Sequence, residues 1–249
     1  MEKKYDWILF DADGTLFDYA KAQAAALEDA FRQRDIPFSG EVMELYCVIN
    51  EKIWSDFEKG RITSERLRTK RFEILFREIG IESDTRSFST IYLSALSERA
   101  DLLDGAQDLL DSISGRIRMM LITNGLGDVQ RARVADSSIG HHFEDLVISE
   151  ETGFAKPDKG IFEAAFDRMG NPGRDRVLIV GDSLTSDIRG GNDYGIDTCW
   201  FNPSGRACDQ DVRIDYEITR LEELCDIIEE NLPVGAAARS EKNLDRKDL

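Results

Sequence analysis

Apolar positions along the chain follow two rhythms. Short unbroken runs bounded by turn residues recur as "WILFDADG", "RMMLITNG", "DLVISEETG", "RVLIVGDS" and "DTCWFN", the pattern of strands buried on both faces of a sheet. Helical stretches separate most of these runs. Strands alternating with helices predict a parallel sheet covered on both sides. Between residue 18 and about residue 103 the rhythm changes to helical spacing and no strand is expected. "DYAKAQAAALEDAF" opens on a capping acid, Asp18, and "ELYCVINEKIWSDF" repeats Leu45, Ile49, Ile53 and Phe57. "SERLRTKRFEILFREIG" carries Leu67, Phe72, Leu75, Phe76 and Ile79, then stops at Gly80 in a C-cap position.

The expected fold is therefore α/β: a Rossmann-like parallel sheet core made of residues 1–17 and 104–232, with an inserted α-helical cap over residues 18–103. Residues 233–249 hold almost no large apolar side chain and read as a disordered tail.

Composition narrows the class. The 249 residues are 41% hydrophobic and 33% charged, ordinary for a soluble chain that buries a sizeable core, and no apolar run approaches a bilayer span. The start, "MEKKYDWILF", runs straight into a strand without a signal-peptide pattern, so the expected location is cytoplasmic. Cys47, Cys199, Cys208 and Cys225 are scattered without a C-x-x-C pair, which suits reduced thiols. A formal net charge of −17 argues against nucleic-acid polymers as partners, and no membrane partner is expected. The oligomeric state is not legible. A small anion remains an admissible ligand wherever local cations overcome the global field.

The candidate chemistry gathers just past the ends of the apolar runs, where open α/β sheets place their sites. Asp11 and Asp13 flank a tight turn broken by Gly14, and two neighbouring carboxylates need a cation or a proton between them. Asp11, at a strand end, is placed to act as a nucleophile and form an acyl-phosphate. Asp13, if protonated, can donate to a leaving oxygen and later activate water. Thr123 and Asn124 in "LITNG" offer a hydroxyl and main-chain N–H groups to a phosphate oxygen, and Lys156 in "FAKPD" is held extended by Pro157. Asp182 and Asp187 in "VLIVGDSLTSDIRGG" are hard oxygen ligands of the kind that suits Mg²⁺, with Mn²⁺ as a substitute. Taken singly, these motifs also fit a strand-ending turn, a capped helix start and a solvated lysine. Counted together, ionised Asp11, Asp182 and Asp187 balance Lys156 and one Mg²⁺, with Asp13 carrying a proton.

Four strand-end motifs in this order resemble the haloacid dehalogenase superfamily from about residue 5 to residue 230. The resemblance implies Asp11 as nucleophile, Asp13 as general acid and base, and Thr123 and Lys156 on the phosphate. It also implies a Mg²⁺ held by Asp11, Asp182, Asp187 and the main-chain carbonyl of Asp13. "LFDADGTLFDY", "IWSDFEKGRIT…RF" and "VISEETGFAKPDKGIF" are similar to the pyrimidine 5'-nucleotidase branch. That implies hydrolysis of nucleoside monophosphates, with Tyr19, Trp54, Phe57 and Arg61 of the cap as substrate candidates. Sugar phosphates, phosphoglycolate, phosphoglucomutase-like transfer, and an inactive phosphate-binding regulatory module are the alternatives. His141 and His142, in "SSIGHHFEDL", read as surface or capping residues.

Overall fold

The computed structural model describes residues 5–230. The tail expected over 233–249 lies outside the described residues. The elements run β1 (Trp7–Phe10), α1 (Tyr19–Gln33), α2 (Gly40–Glu58), α3 (Ser64–Glu78), α4 (Thr85–Ser97), α5 (Ala106–Ile113), β2 (Arg118–Thr123), α6 (Gly127–Asp136) and β3 (Leu146–Ile148). They continue as α7 (Ser149–Thr152), α8 (Lys159–Met169), β4 (Val177–Gly181), α9 (Arg189–Tyr194), β5 (Asp197–Phe201), β6 (Tyr216–Ile218) and α10 (Glu223–Glu230). All six strands pair in parallel in the order β3-β2-β1-β4-β5-β6.

The five apolar runs are β1 to β5. The sixth strand was not anticipated: "YEI" is three residues long, on the sheet edge, and only Ile218 of it is fully buried. Such a segment is too short to show a period.

Alternation along β1 divides the core. Trp7 and Leu9 join Met120, Ile122, Val177 and Ile179 under Phe162 and Phe166 of α8 and Tyr194 of α9. Ile8 and Phe10 face the other way with Leu121, Leu178 and Val180, under Leu109 and Leu110 of α5 and Leu224 and Ile228 of α10. Side chains pointing alternately to the two faces are the direct cause of this layering.

Four helices, α1 to α4, form a separate apolar cluster in the inserted segment, built on Phe31, Tyr46, Ile53, Phe72, Phe88 and Tyr92. Each opens on a side-chain cap. Asp18, Ser39, Thr63 and Asp84 accept from main-chain N–H groups of the first turn, contributions of about 1 kcal/mol apiece. Leu126 and Val129, at the start of core helix α6, insert into this cluster. Arg68 of α3 reaches Asp128 of α6 at 2.8 Å and Glu150 of α7 at 2.8 Å. Apolar contact and this double ion pair seat the helices over the carboxyl ends of β1, β2 and β4.

Candidate active site

β1 lies between β2 and β4, and the chain leaves it in a turn where Gly14 adopts φ +84°. A Cβ on Gly14 would stand 2.8 Å from the Asp182 carboxylate, so only glycine permits both the turn and the approach of the β4 loop. Asp11 follows β1, Thr123 ends β2 and Asp182 follows β4. Parallel register brings these ends together.

Lys156 is the hub. Its side chain is 1% exposed, and its ammonium donates to Asp11 Oδ1 at 2.5 Å, Asp187 Oδ1 at 2.7 Å and the Ile122 carbonyl at 2.8 Å. These three bonds use all its hydrogens. Burial works against the ammonium charge, but Asp11 and Asp187 outweigh it and hold the lysine protonated well above its ordinary range. Asn124 fixes the lysine backbone: its Oδ1 accepts from Lys156 N at 2.7 Å and its Nδ2 donates to the Lys156 carbonyl at 2.9 Å. Both polar atoms of the Asn124 side chain thus bond the Lys156 backbone. Thr123 Oγ1 accepts from Gly125 N at 3.1 Å, and Thr15 Oγ1 donates to Asp11 Oδ2 at 3.2 Å.

Asp11, Asp182 and Asp187 place carboxylate oxygens within 4.8 Å of one another. Burial raises Asp11 well above the usual carboxylate range despite Lys156. Burial, then the charge of Asp187, pushes Asp182 up to about 7. Asp187 accepts from Lys156 and, at 3.1 Å, from Ser183 N. Three crowded oxygen donors with one ammonium among them are short of positive charge, and a hard divalent cation fits that donor set. Asp11, Asp182 and Asp187 would hold it.

This crowding has a pH signature. Asp182 has a folded pKa of about 7 against an ordinary 3.8, so the unfolded chain gives up its proton first. The ionised carboxylate then costs folding stability. In metal-free protein this penalty is absent in acid, grows from roughly pH 4 and is complete above about pH 7. A divalent cation held by the ionised carboxylates would relieve it, so the rise in Tm on adding Mg²⁺ should be several degrees larger at about pH 8 than at about pH 5. Differential scanning fluorimetry checks this; equal shifts at both pH values would contradict it.

Asp13 has two partners that lie far along the chain: it accepts from Gln130 Nε2 at 2.6 Å and from the guanidinium of the buried Arg133. Gln130 and Arg133 escaped the sequence reading; their signal is a pair of polar residues at i, i+3 on α6, one helical face. Glu58 was also missed. Its carboxylate, at the end of α2, lies 3.4 Å from Asn124 Nδ2, and burial raises its pKa.

A cavity of about 190 Å³ opens above these groups, lined by Asp11, Asp13, Thr123, Lys156 and Asp182 below and by Tyr19, Trp54 and Glu58 from the helical segment. Phe57 stacks edge-on against Trp54 at 5.8 Å, and Arg61 pairs with Asp56 on the exterior. Neither of these is among the lining residues. His141 and His142 stand against each other near Asp111, and neither lines the cavity.

Residues 5–195 match the model of the haloacid dehalogenase-like hydrolases. The HAD-hydrolase YfnB of Bacillus subtilis is 38% identical over 91% of this chain and 96% of its own. Its magnesium-bound crystal structure, described as revealing interdomain movement, superposes with a TM-score of 0.86 over 91% of this chain and 99% of that one. Pyrimidine 5'-nucleotidase YjjG of Escherichia coli is 37% identical over 89% of this chain and 96% of its own. Pyrimidine 5'-nucleotidase PynA of Streptococcus pneumoniae is 32% identical over 92% and 97%. With a family model spanning most of the chain and full-length relatives above 30% identity, the protein belongs to the haloacid dehalogenase-like hydrolases.

Proposed function

We propose that this hydrolase cleaves phosphomonoesters through an aspartyl-phosphate on Asp11 with Mg²⁺ as cofactor, and that its substrates are pyrimidine nucleoside 5'-monophosphates. One observation carries the reading: Asp11 is oriented by Lys156 and Thr15 on the floor of a cavity whose far wall offers Trp54 and Tyr19. A carboxylate held from two sides presents its remaining lone pairs upward. Asp11 attacks phosphorus, the ester P–O bond breaks, and Asp13, protonated in the substrate complex, gives that proton to the departing alkoxide. Water then attacks the acyl-phosphate, and Asp13, already surrounded by donors, takes back a proton. Lys156 contributes its charge. The Thr123 hydroxyl, which accepts from Gly125, keeps its hydrogen for a phosphate oxygen. The divalent cation supplies charge neutralisation for the incoming phosphate and would be held by Asp11, Asp182, Asp187 and the Asp13 carbonyl.

Phosphate is common to every candidate substrate, so discrimination falls to the wall contributed by α1 and α2. Trp54, half-buried there, offers an aromatic face to a base, a contribution of about 1–3 kcal/mol by analogy with bases stacked on aromatic platforms. The relatives named pyrimidine 5'-nucleotidases support the same choice. The test is a kcat/KM panel of UMP, dUMP, dTMP, purine monophosphates, hexose phosphates and phosphoglycolate. The pyrimidine nucleotides should lead. Trp54→Ala should raise KM for UMP about tenfold while leaving p-nitrophenyl phosphate nearly unchanged. An enzyme that turns over hexose phosphates or phosphoglycolate tenfold better than any nucleotide would overturn the substrate assignment.

A further inference from the structure

Behind Tyr19 lies a buried polar chain that the reaction does not use. Arg71 of α3 is 1% exposed, packed against the rings of Phe72 and Tyr92 at 5.1 and 5.0 Å, and no carboxylate among the described residues pairs with it. Its Nη1 donates to Asn50 Oδ1 at 3.0 Å, while its Nε and Nη2 have no partner. Asn50, itself buried, donates from Nδ2 to the Tyr19 hydroxyl oxygen at 3.3 Å and to Gln23 Oε1 at 3.3 Å. Tyr19 lines the active-site cavity.

Hydrogen-bond inventory gives this chain a direction. A guanidinium only donates, so the Asn50 atom facing Arg71 must be the carbonyl oxygen. The amide nitrogen is thereby turned to Tyr19 and Gln23, and both its hydrogens are used. The Tyr19 oxygen receives one of them, so its own hydrogen is left for another acceptor. We infer that Arg71, Asn50 and Tyr19 form a one-way hydrogen-bond chain that presents the Tyr19 O–H as a donor into the cavity and selects leaving groups carrying an acceptor oxygen. Tyr19 is the specificity-determining contact; Asn50 and Arg71 are positioning residues. The inference rests on the phosphomonoesterase reading and refines its leaving-group side. The acceptor oxygen belongs either to a base carbonyl or to the sugar, and the two sources are separable by substrate.

The decisive variant is Asn50→Asp. The new carboxylate pairs with Arg71 and offers only acceptors, so the Tyr19 O–H turns inward toward it and shows the ligand a lone pair. The hydroxyl remains in place, but its polarity is inverted. The experiment compares kcat/KM for UMP, ribose 5-phosphate and glucose 6-phosphate with that for phenyl phosphate, whose leaving group has no acceptor beyond the reacting oxygen. Tyr19→Phe should lower the UMP to phenyl phosphate ratio about tenfold, the scale of one lost hydrogen bond in a dry site. Asn50→Asp should lower it at least as much, with an unchanged or higher Tm, because a buried guanidinium gains a counter-ion. A parallel loss on ribose 5-phosphate places the acceptor on the sugar; a loss confined to UMP places it on the base. Asn50→Asp protein with a wild-type ratio, or Tyr19→Phe lowering every substrate equally, overturns the inference. Wild-type preference for glucose 6-phosphate over UMP would instead overturn the nucleotide assignment, and the same variant ratios are then read on glucose 6-phosphate. Failure of the wild type to hydrolyse any of them overturns both.

Discussion

Asp11→Asn is expected to abolish turnover, with kcat lowered about 10⁵-fold or more, the scale on which loss of an enzymic nucleophile is felt. That corresponds to roughly 7 kcal/mol of barrier. The amide cannot form the acyl-phosphate, yet it fits the site: its oxygen can accept from Lys156, and its nitrogen can donate to the Thr15 oxygen, which now donates to Asp11 at 3.2 Å. The fold should therefore survive. Burial already holds the Asp11 carboxyl well above its usual range, so removing its charge should leave the metal-free Tm unchanged or raise it. Acid-quenched wild type incubated with substrate should carry a phosphoryl group on Asp11, and the variant should carry none. Near wild-type activity, after mass spectrometry has excluded reversion of the amide to the acid, would rule out Asp11 as the nucleophile.

The residues behind this prediction were legible in the sequence because each is fixed by local rules. Asp11, Thr123 and Asp182 follow runs that can only be buried strands, and a parallel sheet necessarily brings such ends to one edge. Asp18 was readable as a cap because its side chain bonds within its own helical turn. What escaped was non-local. Nothing in "FAKPD" says that the Lys156 ammonium is nearly inaccessible and shared by two carboxylates 145 and 31 residues away. The same holds for Asp13: its partners Gln130 and Arg133 lie 117 and 120 residues further on, and no local pattern around "DADG" announces them. The apolar spacing of Trp54 and Phe57 was equally ambiguous. Both sit on one helix, but only Trp54 lines the cavity, while Phe57 packs edge-on against it.

Chelation is expected to stop the reaction, lowering kcat/KM at least about 10³-fold, with Mg²⁺ restoring it and Mn²⁺ able to substitute. The physical reason is the charge left in the site. Asp11, Asp182 and Asp187 crowd within 4.8 Å, and Lys156 is the cation bonded among them. Each pair of like charges at that separation or less repels by about 3.5 kcal/mol or more at an effective dielectric of roughly 20. A phosphate dianion would add to the same sum, and Glu58, half-buried beside Asn124, adds further negative character when ionised. Without a divalent cation, phosphate and nucleophile repel each other in a site with little water to screen them. The two late aspartates should also separate. Asp187 anchors Lys156 and Ser183 N, so Asp187→Ala should lower Tm by several degrees even in metal-free protein, since it leaves a buried ammonium short of a partner. Burial and its neighbour's charge push the Asp182 pKa up to about 7, so Asp182→Ala should chiefly raise the Mg²⁺ concentration needed for half-maximal activity, with the metal-free Tm preserved in acid and unchanged or raised above about pH 7. Titration of activity against free Mg²⁺ alongside thermal melts resolves the two effects. Equal activity in protein stripped of metal and in protein replenished with Mg²⁺ would contradict the whole electrostatic account.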